Sequence, residues 1–192
     1  VEIVRNLARS LPMGMKLVIK EHPMAIGYRA ASYYRKLLEI PNVVIADPTL
    51  TSRDLLTNTK LVTVIGGSIG LEALVRKIPV LHFGNLPFSF LPDAMISKVV
   101  EPANLAEKIH DLLENHQHDE AALTAYYAAV IESSVSVDFY SVIIGRGSGW
   151  LPNGKKTANY HSQIGRLAGY IVDRSGVEIS ASPESAAEPS LS

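Results

Sequence analysis

The chain has 192 residues, long enough for one domain with a real core. Its 18 Lys+Arg against 19 Asp+Glu leave a formal net charge of −1, which gives no electrostatic reason to expect nucleic acid or an anionic membrane as partner. The absence of cysteine excludes disulfides and thiolate metal sites and fits a reducing cytoplasm.

No apolar run reaches the roughly 20 residues of a membrane-spanning helix, and no signal peptide is visible. The first residue is Val1, and Ile3, Val4, Leu7 and Leu11 already follow helical spacing. The stretch is therefore expected to be a fragment whose N-terminal part is missing. Residues 17–19 are a buried β-branched strand that runs into Lys20-Glu21-His22-Pro23. Pro23 holds His22 extended and ends the strand, so His22 belongs at a carboxyl edge, where open parallel sheets bind ligands. There it can donate to a phosphate or carboxylate, with Lys20 adding charge, or it can merely cap the loop. Glu21 should point to the other side of the strand.

Residues 25–40 have helical spacing, with Tyr28, Tyr33 and Tyr34 read as packing, and 43–46 form the second strand, closed by Asp47-Pro48. Thr51 or Ser52 caps a short helix with Asp54 in its first turn. The loop from Asp47 to Ser52 lies at a carboxyl end and can line a nucleoside pocket, although capping alone explains its residues as well.

The most informative run is 61–84, LVTVIGGSIGLEALVRKIPVLHFG. It reads as strand (61–65), glycine turn, helix, and strand (80–83). Gly66, Gly67 and Ser68 let the backbone turn tightly and approach a ligand, Gly70 follows, and a helix N-terminus there suits a phosphate. Ser68 is a suitable N-cap, and Leu71, Leu74, Val75 and Ile78 mark one buried helical face. Glu72 lies four residues after Ser68, one too many for a capping box. It shares a helix face with Ser68 and either accepts from ribose hydroxyls or is a solvated glutamate paired with Arg76. The run matches neither GxxxxGK[ST] nor GxGxxG.

His82 within a strand reads as a satisfied core histidine. Residues 96–100 can form a further strand, and 105–113, 121–131 and 161–172 read as helices. His110, His116 and His118 lack acidic ligands at metal-site spacing, so no metal is expected. Residues 145–149 read as a loop and Lys155-Lys156 as a solvated pair. The alternation predicts an α/β, Rossmann-like doubly wound parallel sheet with extra C-terminal helices. The domain is expected over 1–178, with a Ser/Ala/Glu/Pro-rich disordered tail over 179–192.

The segments KLVIKEHP, NVVIADP and LVTVIGGSIGLEALVRKIPVLHFG, spanning roughly residues 16–92, resemble the C-terminal donor-binding half of a GT-B glycosyltransferase. The group resembled is that of bacterial capsular polysaccharide synthesis, which includes transferases using CMP-activated Kdo. The most specific parts are the His-Pro pair and the G-S-x-G-x-E-A turn. The resemblance implies that His22 and the amides of Gly67 and Ser68 hold the donor phosphate and that Glu72 holds the ribose. It implies no cofactor, a nucleotide sugar as substrate (CMP-linked in the Kdo transferases), a glycan or lipid-linked acceptor, and a cytoplasmic place at the inner membrane's periphery. It also implies an N-terminal domain supplying acceptor site and base, so these residues alone should bind nucleotide and turn over little. Two alternatives stand beside it. A UDP-N-acetylglucosamine 2-epimerase-like isomerase shares a His-Pro and a Ser-Gly-Gly turn, but Ala73 stands where that group has a second acid. A non-catalytic capsule assembly or export module would keep the fold without turnover.

Overall fold

In the computed structural model, which describes residues 1–22, 25–137 and 160–176, the runs read as strands all form three-residue strands. They are β1 (Leu17–Ile19), β2 (Val43–Ile45), β3 (Val62–Val64), β4 (Val80–His82) and β5 (Ile96–Lys98). Between and around them lie α1 (Glu2–Ser10), α2 (Ala31–Leu38), α3 (Ser52–Leu56), α4 (Ile69–Val75), α5 (Leu105–Glu114) and α6 (Glu120–Glu132). The chain divides into two compact units, Val1–Ala129 and Val130–Ser192.

The first unit is α/β with every ladder parallel, in the Rossmann-like manner the alternation predicts. β1 pairs with β2, with Val18 opposite Val44, and β4 lies between β3 and β5. Hydrogen bonding is thus divided between a two-stranded and a three-stranded ladder. Side chains connect them: Leu17 of β1 packs both against the cluster that contains Leu81 and Ile109 and against the one that contains Leu37 and Val43.

Both faces of β4 are covered, so all three of its residues are buried. On one face Val62, Val64, Val80 and Ile96 meet Ala73 and Leu74 of α4 and Leu123 and Tyr126 of α6. On the other, Leu81 meets Leu7 of α1 and Leu105, Ile109 and Leu112 of α5. Each large aliphatic chain buried there contributes roughly 1.5–3 kcal/mol.

Two helices depart from their sequence patterns. Gly70, Ala73 and Leu74 form the buried stripe of α4, while Val75 is 53% exposed. Small residues face the sheet because the helix lies close to it: a Cβ on Gly70 would stand 3.0 Å from Phe88 Cζ and 3.4 Å from Val64 Cγ2. The helix also ends before Pro79, in a Schellman motif. Ile78 N–H donates to Ala73 O and Lys77 N–H to Leu74 O, with Lys77 in the left-handed region at φ 61°. The second departure is α2, which begins only at Ala31. Gly27 lies at φ 83°, and the preceding residues turn instead of extending the helix.

In the second unit, α7 (Tyr160–Ser175) forms where helical spacing predicts it, and the Tyr170 hydroxyl donates to the Ser133 carbonyl. The expected loop at 145–149, Lys155-Lys156 and the tail over 179–192 lie outside the described residues. Among the described residues no helix is long and apolar enough to cross a membrane.

Candidate functional site

β1 delivers Lys20, Glu21 and His22 to a cavity of about 210 Å³ at its carboxyl end. Arg29, Tyr33 and Tyr34 complete its polar wall, and Ile19, Leu37 and Ile45 line its apolar side. His22 is exposed, as expected of a residue at a pocket rim. Lys20 Nζ donates to the carbonyls of Pro48 (3.3 Å) and Glu21 (3.4 Å), tying the end of β1 to the loop after β2. Pro23 lies outside the described residues.

Glu21 differs from its sequence reading. It lines the same cavity as His22, because the strand ends at Ile19 and the alternation of side chains ends with it. Its side chain is only 16% exposed, and each carboxylate oxygen accepts a hydrogen bond. Arg29 Nε donates to Oε1 at 3.0 Å, and the Tyr34 hydroxyl donates to Oε2 in a short hydrogen bond. That bond is the largest reason the Tyr34 phenol titrates above the usual tyrosine value, followed by burial and the Glu21 charge. The Arg29 guanidinium also lies over the Tyr33 ring, 4.6 Å from its centroid, and Tyr33 meets Tyr34 edge-on at 5.4 Å. Sequence reasoning assigned these tyrosines to packing and did not single out Arg29. The available signal was an arginine seven residues after the His-Pro histidine.

At the carboxyl end of β3, Gly66, Gly67 and Ser68 are all exposed. Gly67 sits at φ 104°, where a side chain is strained, and a Cβ on Gly66 or Gly67 would meet nothing within 4 Å. Gly70 is buried, and packing alone accounts for its lack of a side chain. Ser68 is the N-cap residue of α4, but its side chain makes no capping bond. Its hydroxyl instead faces Glu72 Oε1 in a long contact of 3.4 Å. Among the described residues no ion pair joins Glu72 to Arg76. The charge of Glu72 is felt by Tyr127 of α6, whose phenol is raised first by burial, then by Tyr126 and Glu72.

After β2, Asp47 accepts from the Thr49 amide (2.8 Å) and hydroxyl (2.7 Å). Those bonds hold its carboxyl below the ordinary aspartate value, the side-chain bond contributing most. Thr51 is the cap of α3, in a reciprocal capping box with Asp54, which leaves Ser52 as the first helical residue. The cavity therefore gathers Lys20 and His22 from the expected site residues. Asp47, Ser52 and the turn from Gly66 to Glu72 stand at carboxyl ends of neighbouring strands and are not among its walls.

A larger cavity, about 550 Å³, lies at the opposite ends of the strands, against Met15 before β1, Lys60 before β3 and Pro79 before β4. It is the weaker candidate, since parallel sheets bind ligands at the carboxyl side and several of its polar groups are engaged by the fold. His116 Nδ1 lies 2.8 Å from Ala94 O and Nε2 lies 3.2 Å from Lys77 O, and Lys77 Nζ faces Glu120 at 3.6 Å. His82 is a core histidine as expected, buried with Nδ1 2.7 Å from Gly84 O.

Residues 1–91 match a family model described as capsule polysaccharide biosynthesis protein. The matched stretch contains the first four strands, the His22 cavity and the glycine turn, and it supports a role in capsule synthesis. No curated protein and no solved structure matches the chain.

Proposed function

We propose that the first unit binds the phosphate of a nucleotide-sugar donor and is the donor-binding part of a GT-B glycosyltransferase in capsule polysaccharide synthesis. The observation that carries this reading is that Lys20, His22 and Arg29 converge on one cavity at the carboxyl end of β1, within the stretch that matches the capsule family. In glycosyl transfer the acceptor hydroxyl oxygen forms a bond to the anomeric carbon, its proton passes to a base that the resemblance assigns to an N-terminal domain, and the bond to the donor phosphate breaks. The electron pair leaves with the phosphate. Donors aimed at that leaving oxygen act where charge develops, which is where they accelerate the step. His22 is the residue proposed for this role, with Lys20 supplying fixed charge. The exposed Gly66-Gly67-Ser68 turn adds a surface a phosphate can approach closely, with Glu72 one helical turn on for the ribose.

The test is thermal unfolding with CMP, UDP and GDP. A nucleotide at about 100 Kd adds about 2.7 kcal/mol of stability. His22→Ala should abolish most of that shift while the ligand-free protein still folds cooperatively, since the residue is exposed. No shift with any nucleotide would favour a capsule assembly module without donor binding.

A further inference from the structure

We propose that the cavity beside His22 takes a ligand with two oxyanionic groups, the second bound by the Arg29 fork that Glu21 and Tyr33 hold in place. The inference rests on the nucleotide reading above, which accounts for one anion. Arg29 is the reason to expect another. A guanidinium carries five N–H donors in a fixed plane, and an ion pair built purely for stability commonly uses two of them side by side on one carboxylate. Here Glu21 takes only Nε, because its second oxygen accepts from Tyr34. Among the described residues, neither terminal nitrogen of Arg29 has a hydrogen-bond partner. Those nitrogens form the flat end of the fork, the shape that matches a carboxylate or phosphate.

The fork is also preorganised. Glu21 fixes one edge and the Tyr33 ring supports one face, so little side-chain freedom remains to be lost on binding. Glu21 acts here as a positioning residue: its carboxylate is engaged twice and does not itself offer a binding group. Its charge offsets one cation, and Lys20 and Arg29 leave the polar wall with a net positive balance before His22 is counted. Size points the same way. At about 210 Å³ the cavity is smaller than the roughly 300–1,000 Å³ of a site that encloses a whole small ligand. It fits the charged junction of a nucleotide sugar, with the nucleoside lying outside.

Two sources can supply the second oxyanion: the β-phosphate of a diphosphate donor, or a carboxylate on the sugar. The experiment is calorimetric titration of the chain with matched pairs that differ by one acidic group. CMP and UMP are set against CDP and UDP for the β-phosphate. UDP-glucose against UDP-glucuronate reports the carboxylate. The wild type is expected to bind the more acidic member of at least one pair tenfold or more tightly. Arg29→Ala should remove that preference, weakening the more acidic member of the pair by tenfold or more beyond any loss for the less acidic one. Arg29→Lys, which keeps the charge and loses the fork, should retain only part of it, as should Glu21→Gln. Binding with no preference in any pair, or a preference that survives Arg29→Ala in a folded protein, overturns this inference and leaves the nucleotide reading intact. A wild type that binds none of these probes overturns both.

Discussion

A Cβ placed on Gly84 would stand 2.0 Å from the carbonyl oxygen of Ile65. The loop leaving β4 therefore presses against the residue that opens the glycine turn after β3. The two strand ends are tied together there, since Phe83 N–H donates to Val64 O at 3.0 Å immediately beside the contact. Gly84→Ala should cost about 1–3 kcal/mol through overpacking. Gly66→Ala, with nothing within 4 Å, should leave stability nearly unchanged and weaken nucleotide binding if the backbone there approaches phosphate. Urea midpoints for both variants, alongside nucleotide titration, separate the two effects; equal midpoints would show that the contact is soft.

Lys77 occupies a position that favours glycine. A residue with a side chain costs roughly 1–2 kcal/mol in the left-handed region, and Lys77 sits there to close the Schellman motif. Lys77→Gly should raise the melting temperature, by up to about 1 kcal/mol of stability after the entropy of glycine is counted. The exposed pair with Glu120 is lost as well, worth roughly 0–1 kcal/mol. Lys77→Ala loses that pair without relieving the backbone, so it should melt at or below the wild type and serve as control.

Acidification should weaken the two loops that follow β2. Asp47 is held charged by Thr49, and Asp54 by Thr51, through the hydroxyl first and then the amide, so both titrate below the ordinary 3.8 when folded. The unfolded chain, with ordinary values, binds more protons in the interval between. Their contribution to stability is therefore complete above pH 3.8 and is lost as pH falls through the depressed folded values. The urea midpoint of Asp54→Asn should lie below that of wild type at pH 6, with the difference closing below pH 3.8. A constant difference across that range would mean that the hydrogen bonds do not favour the charged form.

Glu72 carries the ribose role in the proposed function. A hydrogen bond to a charged partner is worth about 1.5–3 kcal/mol, which is a factor of ten or more in affinity. The wild type should thus prefer a ribonucleotide to its 2′-deoxy counterpart by about that factor, and Glu72→Gln should narrow the preference while phosphate binding persists. Equal affinity of the wild type for the two would remove the role.

Local pattern determined the element order. Five short strand-like runs, helical spacing between them, and the glycine pair after β3 specified a parallel α/β unit because each depends only on residues a few places apart. His22 at a carboxyl edge was legible for the same reason: a short apolar run followed by a His-Pro pair is read from adjacent residues, although β1 itself already ends at Ile19. The tertiary structure decided which side chains share a space. Glu21 meets Arg29 and Tyr34 across eight and thirteen residues of chain, Gly84 approaches Ile65, and Phe88 crowds the position a side chain at Gly70 would take. None of these contacts has a periodicity to read, because each depends on the path of a loop between two elements. Those paths are set by packing of the whole core, so the partners of the candidate site emerged only with the fold.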